Sequence, residues 1–312
     1  YYAPWSRNSF RLPFLRSASG FAPHLCAREA YPAGEGAACN RPCPGRKCDM
    51  SGLSKVEVQG VTKAFGDGEG MVLALEQITF QVPGGGFTSL LGPSGCGKST
   101  LFNIIAGLMR PDCGDVLLDG RSVIGKPGQV GYMLQKDLLL PWRSIQDNII
   151  LGARLRHVPR EDALQQARAL MERYGLQGFE KRKPHELSGG MRQRAALLRT
   201  LLTEREVLLL DEPFGALDAL TRLQLQLGLT DVWQTFHKTI LLVTHDVEEA
   251  IFLSDQILVL SPRPGRVRRQ LTVPLPRPRT VDMLASPEVM GMKKELLELL
   301  LQEEGTVHES NG

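Results

Sequence analysis

The sequence predicts an α/β fold: a mainly parallel sheet with helices, preceded by a smaller antiparallel sheet. Three observations carry this. Residues 92–99 read Gly-Pro-Ser-Gly-Cys-Gly-Lys-Ser, a complete G-x-x-x-x-G-K-[ST] loop between the apolar run Thr88-Ser89-Leu90-Leu91 and a helical pattern from Thr100 to Leu108. Residues 205–260 alternate strand-like and helical runs, as a parallel sheet requires. Residues 53–91 hold several strand-like runs broken by Gly66-Asp67-Gly68 and Pro83-Gly84-Gly85-Gly86, the pattern of a largely antiparallel sheet.

In chain order, the phosphate loop comes first. Gly92, Gly95 and Gly97 let backbone N–H groups turn toward phosphate oxygens without Cβ clashes, and Pro93, Ser94 and Cys96 fill the positions between them. The helix opening at Ser99 and Thr100 adds its positive N-terminal end to the same spot. Lys98 is placed to contact the β- and γ-phosphates, so the chain reads as binding a nucleoside triphosphate.

Gln135 ends the segment Val130-Gly131-Tyr132-Met133-Leu134, where an amide on a mobile loop can sense metal and water. Residues 143–204 are mainly helical; Leu164, Ala167, Leu170, Met171 and Tyr174 recur at helical spacing, with Gly175 as C-cap. Leu187-Ser188-Gly189-Gly190 precedes a helical run from Met191 to Leu198, which makes a second anion-binding helix end. The apolar strand Val207-Leu208-Leu209-Leu210 ends in Asp211 and Glu212. Asp211 suits Mg²⁺, together with the Ser99 hydroxyl, and Glu212 is the candidate for polarising water. Ile240-Leu241-Leu242-Val243-Thr244 ends in His245, a candidate to hold the γ-phosphate against that water.

Together these stations resemble the ATP-binding subunit of an ABC transporter, over about residues 53–305. The resemblance implies a P-loop NTPase: a RecA-like core, an antiparallel β subdomain and an inserted helical subdomain at about 140–190, all within an ATP-binding domain spanning 50–275. Residues 276–312 are then a C-terminal extension with a short helix. By resemblance, Gly92 to Ser99 is the Walker A loop, Gln135 the Q-loop glutamine and also a metal contact, and Asp211-Glu212 Walker B. His245 is the switch histidine, and Phe65 falls where an aromatic stacks on adenine. Ser188, Gly189 and Gly190 belong to the family signature, with Met191 where glutamine is commonest. Gly215-Ala216-Leu217-Asp218 resembles the D-loop, with Gly215 where serine is usual, and groups Asp218 with the nucleotide-binding residues. ATP and Mg²⁺ follow as cofactors, and two head-to-tail copies as the assembly that sandwiches two nucleotides. A separate permease, an external solute-binding protein and a peripheral position at the cytoplasmic face of the membrane are implied likewise.

Composition is ordinary for a globular chain: 42% hydrophobic and 23% charged over 312 residues. No stretch approaches 18 uninterrupted apolar residues, so a transport role requires a separate membrane protein. The net charge of +3 is uneven: residues 1–49 hold a net +4, leaving about −1 for the remainder. A nucleic-acid stripe would have to be this tail, which has no groove-reading motif, so no nucleic-acid partner is expected. The tail is Pro-, Arg- and Gly-rich with no clean period and reads as a disordered or non-native extension, with Met50 as the expected start and a transit-like leader as the rival. Cys26, Cys39, Cys43 and Cys48 lie in it without paired metal-ligand spacing; Cys96 and Cys113 suit reduced thiols.

Two segments point outward. Leu138-Leu139-Leu140-Pro141-Trp142, close after Gln135, is a candidate permease-docking patch, with packing of the helical subdomain as the competing reading. The Pro-Arg units in Leu260–Arg266 and Leu275–Arg279 favour extended, polyproline-like backbone, and Val289, Met292, Leu296, Leu299 and Leu300 form a packing stripe on a terminal helix. With Leu140-Pro141-Trp142, this region is similar to the nitrate/sulfonate/taurine/bicarbonate importer branch, which also includes carriers of thiamine pyrimidine precursors. The rival function is a soluble ABC-type ATPase uncoupled from transport. DNA-repair types of that kind place a long coiled coil between phosphate loop and signature, but here Ser188 lies only 90 residues beyond Lys98. Guanine recognition is unsupported, since Asn-Lys-x-Asp does not occur.

Overall fold

The computed structural model describes residues 54–66, 70–215 and 217–301. The Met50 start, the four tail cysteines, Asp67, Gly68 and Ala216 lie outside these residues. The described residues belong to one compact unit, Arg46–Gly312.

Strands β1 (Ser54–Phe65) and β2 (Val72–Pro83) pair antiparallel, and β4 (Cys113–Leu118) with the short β5 (Arg121–Ser122) completes a sheet of order β2-β1-β4-β5. In β2, Ile78, Phe80 and Val82 are buried while Gln77, Thr79 and Gln81 are exposed, the alternation of a sheet with one wet face.

The larger sheet has the order β10-β9-β3-β8-β7-β6. Strands β3 (Phe87–Leu91), β6 (Gly131–Met133), β7 (Val207–Asp211), β8 (Thr239–Thr244) and β9 (Gln256–Leu260) run parallel, and β10 (Val267–Thr272) closes one edge antiparallel. One sequence expectation needs correcting here. The 53–91 stretch is not all antiparallel, because β3 sits between β8 and β9 in the parallel sheet. Its five residues are all buried, which a strand covered on both faces demands.

The pleat sorts the core into layers. In β7, Val207 and Leu209 pack with the antiparallel sheet and with α1 (Lys98–Ile105), whose Leu101, Phe102, Ile104 and Ile105 are buried. Full burial of each such side chain contributes about 1.5–3 kcal/mol. Leu208 and Leu210 face the other way, toward α2 (Ile145–Ile149), α4 (Arg160–Arg173), α5 (Gly189–Leu201) and α6 (Ala219–Phe236). The helix α3 (Leu151–Leu155) joins α2 to α4. Strand β8 repeats the split, with Leu241 and Val243 on one side and Ile240 and Leu242 on the other. In α4, Leu164, Ala167, Met171 and Tyr174 face inward at the expected spacing, and Gly175 follows the C-cap with φ 65° while Leu176 N–H returns to Met171 O.

A third cluster joins α7 (Val247–Leu253), β9 and α8 (Pro287–Leu301), with Val289 and Leu296 buried against Ile251 and Val259. The Pro-Arg runs prove to be anchors. Arg279, 4% exposed, donates to the carbonyls of Ile251, Phe252 and Ser254 at the end of α7, and burial lowers its guanidinium pKa to about 10. Arg277 lies 3.9 Å from the Trp233 ring centroid and donates to Leu253 O and Asp255. Each run holds one cis bond, at Arg263–Pro264 and Arg277–Pro278. Among the described residues no helix is long and apolar enough to cross a membrane.

Candidate nucleotide site

Strands β3, β8, β7 and β6 are parallel neighbours, so their C-terminal ends line up along one edge of the sheet. The residues that follow those ends are Gly92, His245, Glu212 and, one beyond Leu134, Gln135. Topology thus gathers four sequence stations that lie far apart in the chain, on the edge where open α/β sheets bind ligands.

The loop after β3 leads directly into α1. Gly97 is the N-cap of α1 at φ 101°, and a Cβ there would meet Leu75 Cδ2 at 2.6 Å, so this position admits glycine alone without rearrangement. Lys98 Nζ donates to Gly92 O at 2.7 Å and Pro93 O at 2.8 Å. Ser94, Gly95 and Ser99 are exposed, and Thr100 is half-buried. Cys96 differs from its neighbours: its side chain is buried in the core beside α1, and that burial pushes the thiol pKa up. It therefore offers a ligand its backbone rather than its sulfur.

Asp211 is buried at the tip of β7, where burial pushes its carboxyl pKa up, Glu212 adds to the effect, and the Ser99 hydroxyl bond and Lys98 charge oppose it. A carboxylate hydrogen-bonded to a hydroxyl beside a phosphate loop is a set of hard oxygens that fits Mg²⁺. Among the described residues no cluster of three or more His, Cys, Asp or Glu forms a metal cage. Gln135, also expected at the metal, donates to Glu212.

Glu212 organises the rest. Its Oε2 accepts from Gln135 Nε2 at 3.0 Å, and its Oε1 lies 3.5 Å from His245 Nδ1. Its backbone is left-handed at φ 48°, a conformation costing about 1 kcal/mol for a residue with a Cβ. Two bonds hold it there: Glu212 N–H to Val243 O, and Gln193 Nε2 to Glu212 O, both at 2.9 Å.

His245 is supported on both sides by residues the sequence did not flag. Thr244 Oγ1 donates to Glu249 Oε2 at 2.8 Å and accepts from Asp246 N–H at 3.0 Å. Asp246 caps α7 by accepting from the N–H groups of Glu248 and Glu249. Arg222 of α6 links Asp246, at 3.4 Å, to Leu217 O, at 3.1 Å. Glu249 is 7% exposed, and burial raises its carboxyl pKa to about 8, keeping it protonated near neutrality. Asp246-x-x-Glu249 at a helix start was the available signal, but it reads as an ordinary capping pattern.

The remaining candidates lie on other elements. Ser188 caps α5 by accepting from Met191 N–H, with Gly189 and Gly190 as its first turn. That helix packs on the sheet face opposite α1, as the clusters containing Ala195–Leu198 and Leu101–Phe102 show. Its arginines reach toward the glutamine loop: Arg192 pairs with Asp137 at 3.0 Å, and Arg199 donates to the carbonyls of Asp137 and Leu138. Asp218 is exposed and caps α6 through Thr221 N–H, a bond that lowers its carboxyl pKa. Phe65 ends β1, 42% exposed, with Lys63 Nζ 5.6 Å from its ring centroid. In the outward segment Leu139 is buried and Leu140 is tied to Asn148, whereas Leu138 and Trp142 stand 53% and 69% exposed. Leu139 thus packs inside, while Leu138 and Trp142 stay at the surface.

The sequence profile of the ABC transporter family matches residues 75–215. The chain is similar to a taurine import ATP-binding protein of Rhizobium johnstonii, 44% identical over 73% of this chain and 89% of the relative. An aliphatic sulfonates import ATP-binding protein of Bacillus cereus is 41% identical over 75% of this chain and 92% of the relative. Among solved structures, a dimeric ATP-binding cassette in a post-hydrolysis state with ADP and Pi aligns at TM-score 0.63 and 30% identity, over 70% of this chain and 98% of its own.

Proposed function

This chain belongs to the ABC transporter family as an ATP-binding cassette, and we propose that it energises import of a small sulfonate- or taurine-like solute through a separate permease. The observation that carries the mechanism is the convergence of Gln135, Glu212 and His245 beside the phosphate loop on one sheet edge.

The phosphate loop cradles the ATP phosphates with backbone N–H groups, and Lys98 exchanges its loop carbonyls for phosphate oxygens. Ser99 and Asp211 would hold Mg²⁺, which when bound neutralises phosphate charge. Glu212 accepts a proton from the attacking water, and His245 holds the γ-phosphate in line. Gln135 orients the Glu212 carboxylate and carries the same event to the loop that Arg192 and Arg199 tie to α5.

The signature helix end and the phosphate loop lie on opposite faces of the sheet. One copy therefore leaves its second anion site unused, and two head-to-tail copies pair each phosphate loop with the partner's Ser188–Gly190. Exposed Trp142 and Leu138 meet the permease, the chain lies peripherally at the cytoplasmic membrane face, and an external binding protein presents the solute.

Uptake of labelled taurine, alkanesulfonate, nitrate, bicarbonate and thiamine-type pyrimidine, compared between the native strain and one carrying Glu212→Gln, tests this. Selective loss of a sulfonate supports the proposal. Unchanged uptake of every solute removes it.

A further inference from the structure

The loop between β9 and β10 lies directly against the phosphate loop. Ser261 closes it, with Oγ donating to Pro264 O at 2.9 Å and accepting from Arg266 N–H at 3.0 Å. Gly265 pins it to β2, donating to Ala74 O and accepting from Glu76 N–H, both at 2.9 Å, and Arg266 adds a pair to Glu76 at 2.6 Å. From this anchored position Arg263 donates through Nε and Nη2 to Gly95 O, at 3.3 and 3.1 Å. Next to it, a Cβ on Gly265 would sit 2.2 Å from Cys96 O, so only glycine lets the two loops approach this closely.

These contacts fall on two consecutive carbonyls of the phosphate loop. In a trans peptide the C=O and the following N–H point in opposite directions. Holding the Gly95 and Cys96 carbonyls toward the brace aims the Cys96 and Gly97 N–H groups the other way, into the concave side of the loop. The Cys96 N–H has only a long 3.4 Å turn contact, to Pro93 O, competing for it. We propose that Ser261–Arg266 is an outer brace of the phosphate loop, and that Arg263 is a positioning residue for nucleotide that presents the Cys96 N–H to the phosphates. This rests on the nucleotide site proposed above.

Backbone N–H groups of such a loop serve the α- and β-phosphates, which ATP and ADP share. Titration of the full chain with fluorescent ATP and ADP analogues is the test, with steady-state hydrolysis alongside. Arg263→Ala is expected to weaken both nucleotides by roughly fivefold, as for one lost hydrogen bond, and to raise KM while kcat stays within about twofold. Arg263→Lys, which keeps one donor, should recover part of the affinity. Because Arg263 is exposed, the variants should keep the native far-UV circular dichroism. Unchanged dissociation constants would overturn the brace, and so would a loss confined to ATP, which indicates a direct γ-phosphate contact. A folded native chain that binds neither nucleotide would instead remove the nucleotide site itself.

Discussion

Gln135 Nε2 and Glu212 Oε2 meet at 3.0 Å across the ends of two adjacent parallel strands, β6 and β7. The opposite oxygen of the same carboxylate lies 3.5 Å from His245, just past the end of the next strand, β8. One carboxylate thus joins three strand ends, and the proton-acceptor role proposed for it is what an amide cannot supply. Glu212→Gln should keep ATP binding but lower hydrolysis at least ~100-fold. The nucleotide-bound form should accumulate as a dimer. Phosphate release and light scattering read both, and turnover at the native rate would refute the assignment.

Lys98 holds the carbonyls of Gly92 and Pro93 together, so it both shapes the phosphate loop and carries its charge. Lys98→Ala should weaken ATP binding by more than about tenfold, since charge-assisted hydrogen bonds are the strong ones. Equilibrium titration with a fluorescent ATP analogue checks this. Affinity equal to the native chain would mean that the lysine is structural.

Glu249 yields a pH dependence with a definite sign. Burial raises its carboxyl pKa from the ordinary 4.5 to about 8, so the folded state holds a proton that the unfolded state releases. Its contribution to stability is therefore greatest below pH 4.5, and it declines as pH climbs toward 8. Glu249→Gln removes the proton linkage and keeps the shape. Urea midpoints measured between about pH 5 and 8 should fall with pH more steeply for the native chain than for the variant. Parallel slopes would show that Glu249 is not the titrating group.

Trp142 is 69% exposed while neighbouring Leu139 is buried, so the ring is free for a partner and the backbone under it is fixed. Trp142→Ala should lose co-purification with the permease and retain ATP binding. Retained co-purification would rule the patch out.

Residues proposed to face ligands were more legible in the sequence than residues that support them. Gly92 to Ser99, Asp211, Glu212 and His245 were readable because each follows an apolar strand of unmistakable composition, and the parallel sheet then leaves little choice of where they go. The place of strand β3 was not legible, since Phe87–Leu91 carries Thr88 and Ser89 yet is buried throughout, and the run itself names no neighbours. The Pro-Arg units suggest only extended backbone, whereas Arg277 and Arg279 hold the carbonyls that end α7. An arginine buried against helix carbonyls looks, in one dimension, the same as one in water. Glu249 was hidden for the converse reason: its charge is ordinary, and only the closeness of Thr244 and α7 makes it a neutral acid.

The helix α8 has a practical consequence for anyone handling the gene. Val289 and Leu296 fill the groove that α7 and β9 leave open, and Arg279 ties off the end of α7. A stop codon introduced ahead of Pro287 would strip the cover from Leu91, Ile251 and Val259. The shortened product would present a greasy flank to proteases and chaperones even though every residue of the proposed nucleotide site was still encoded.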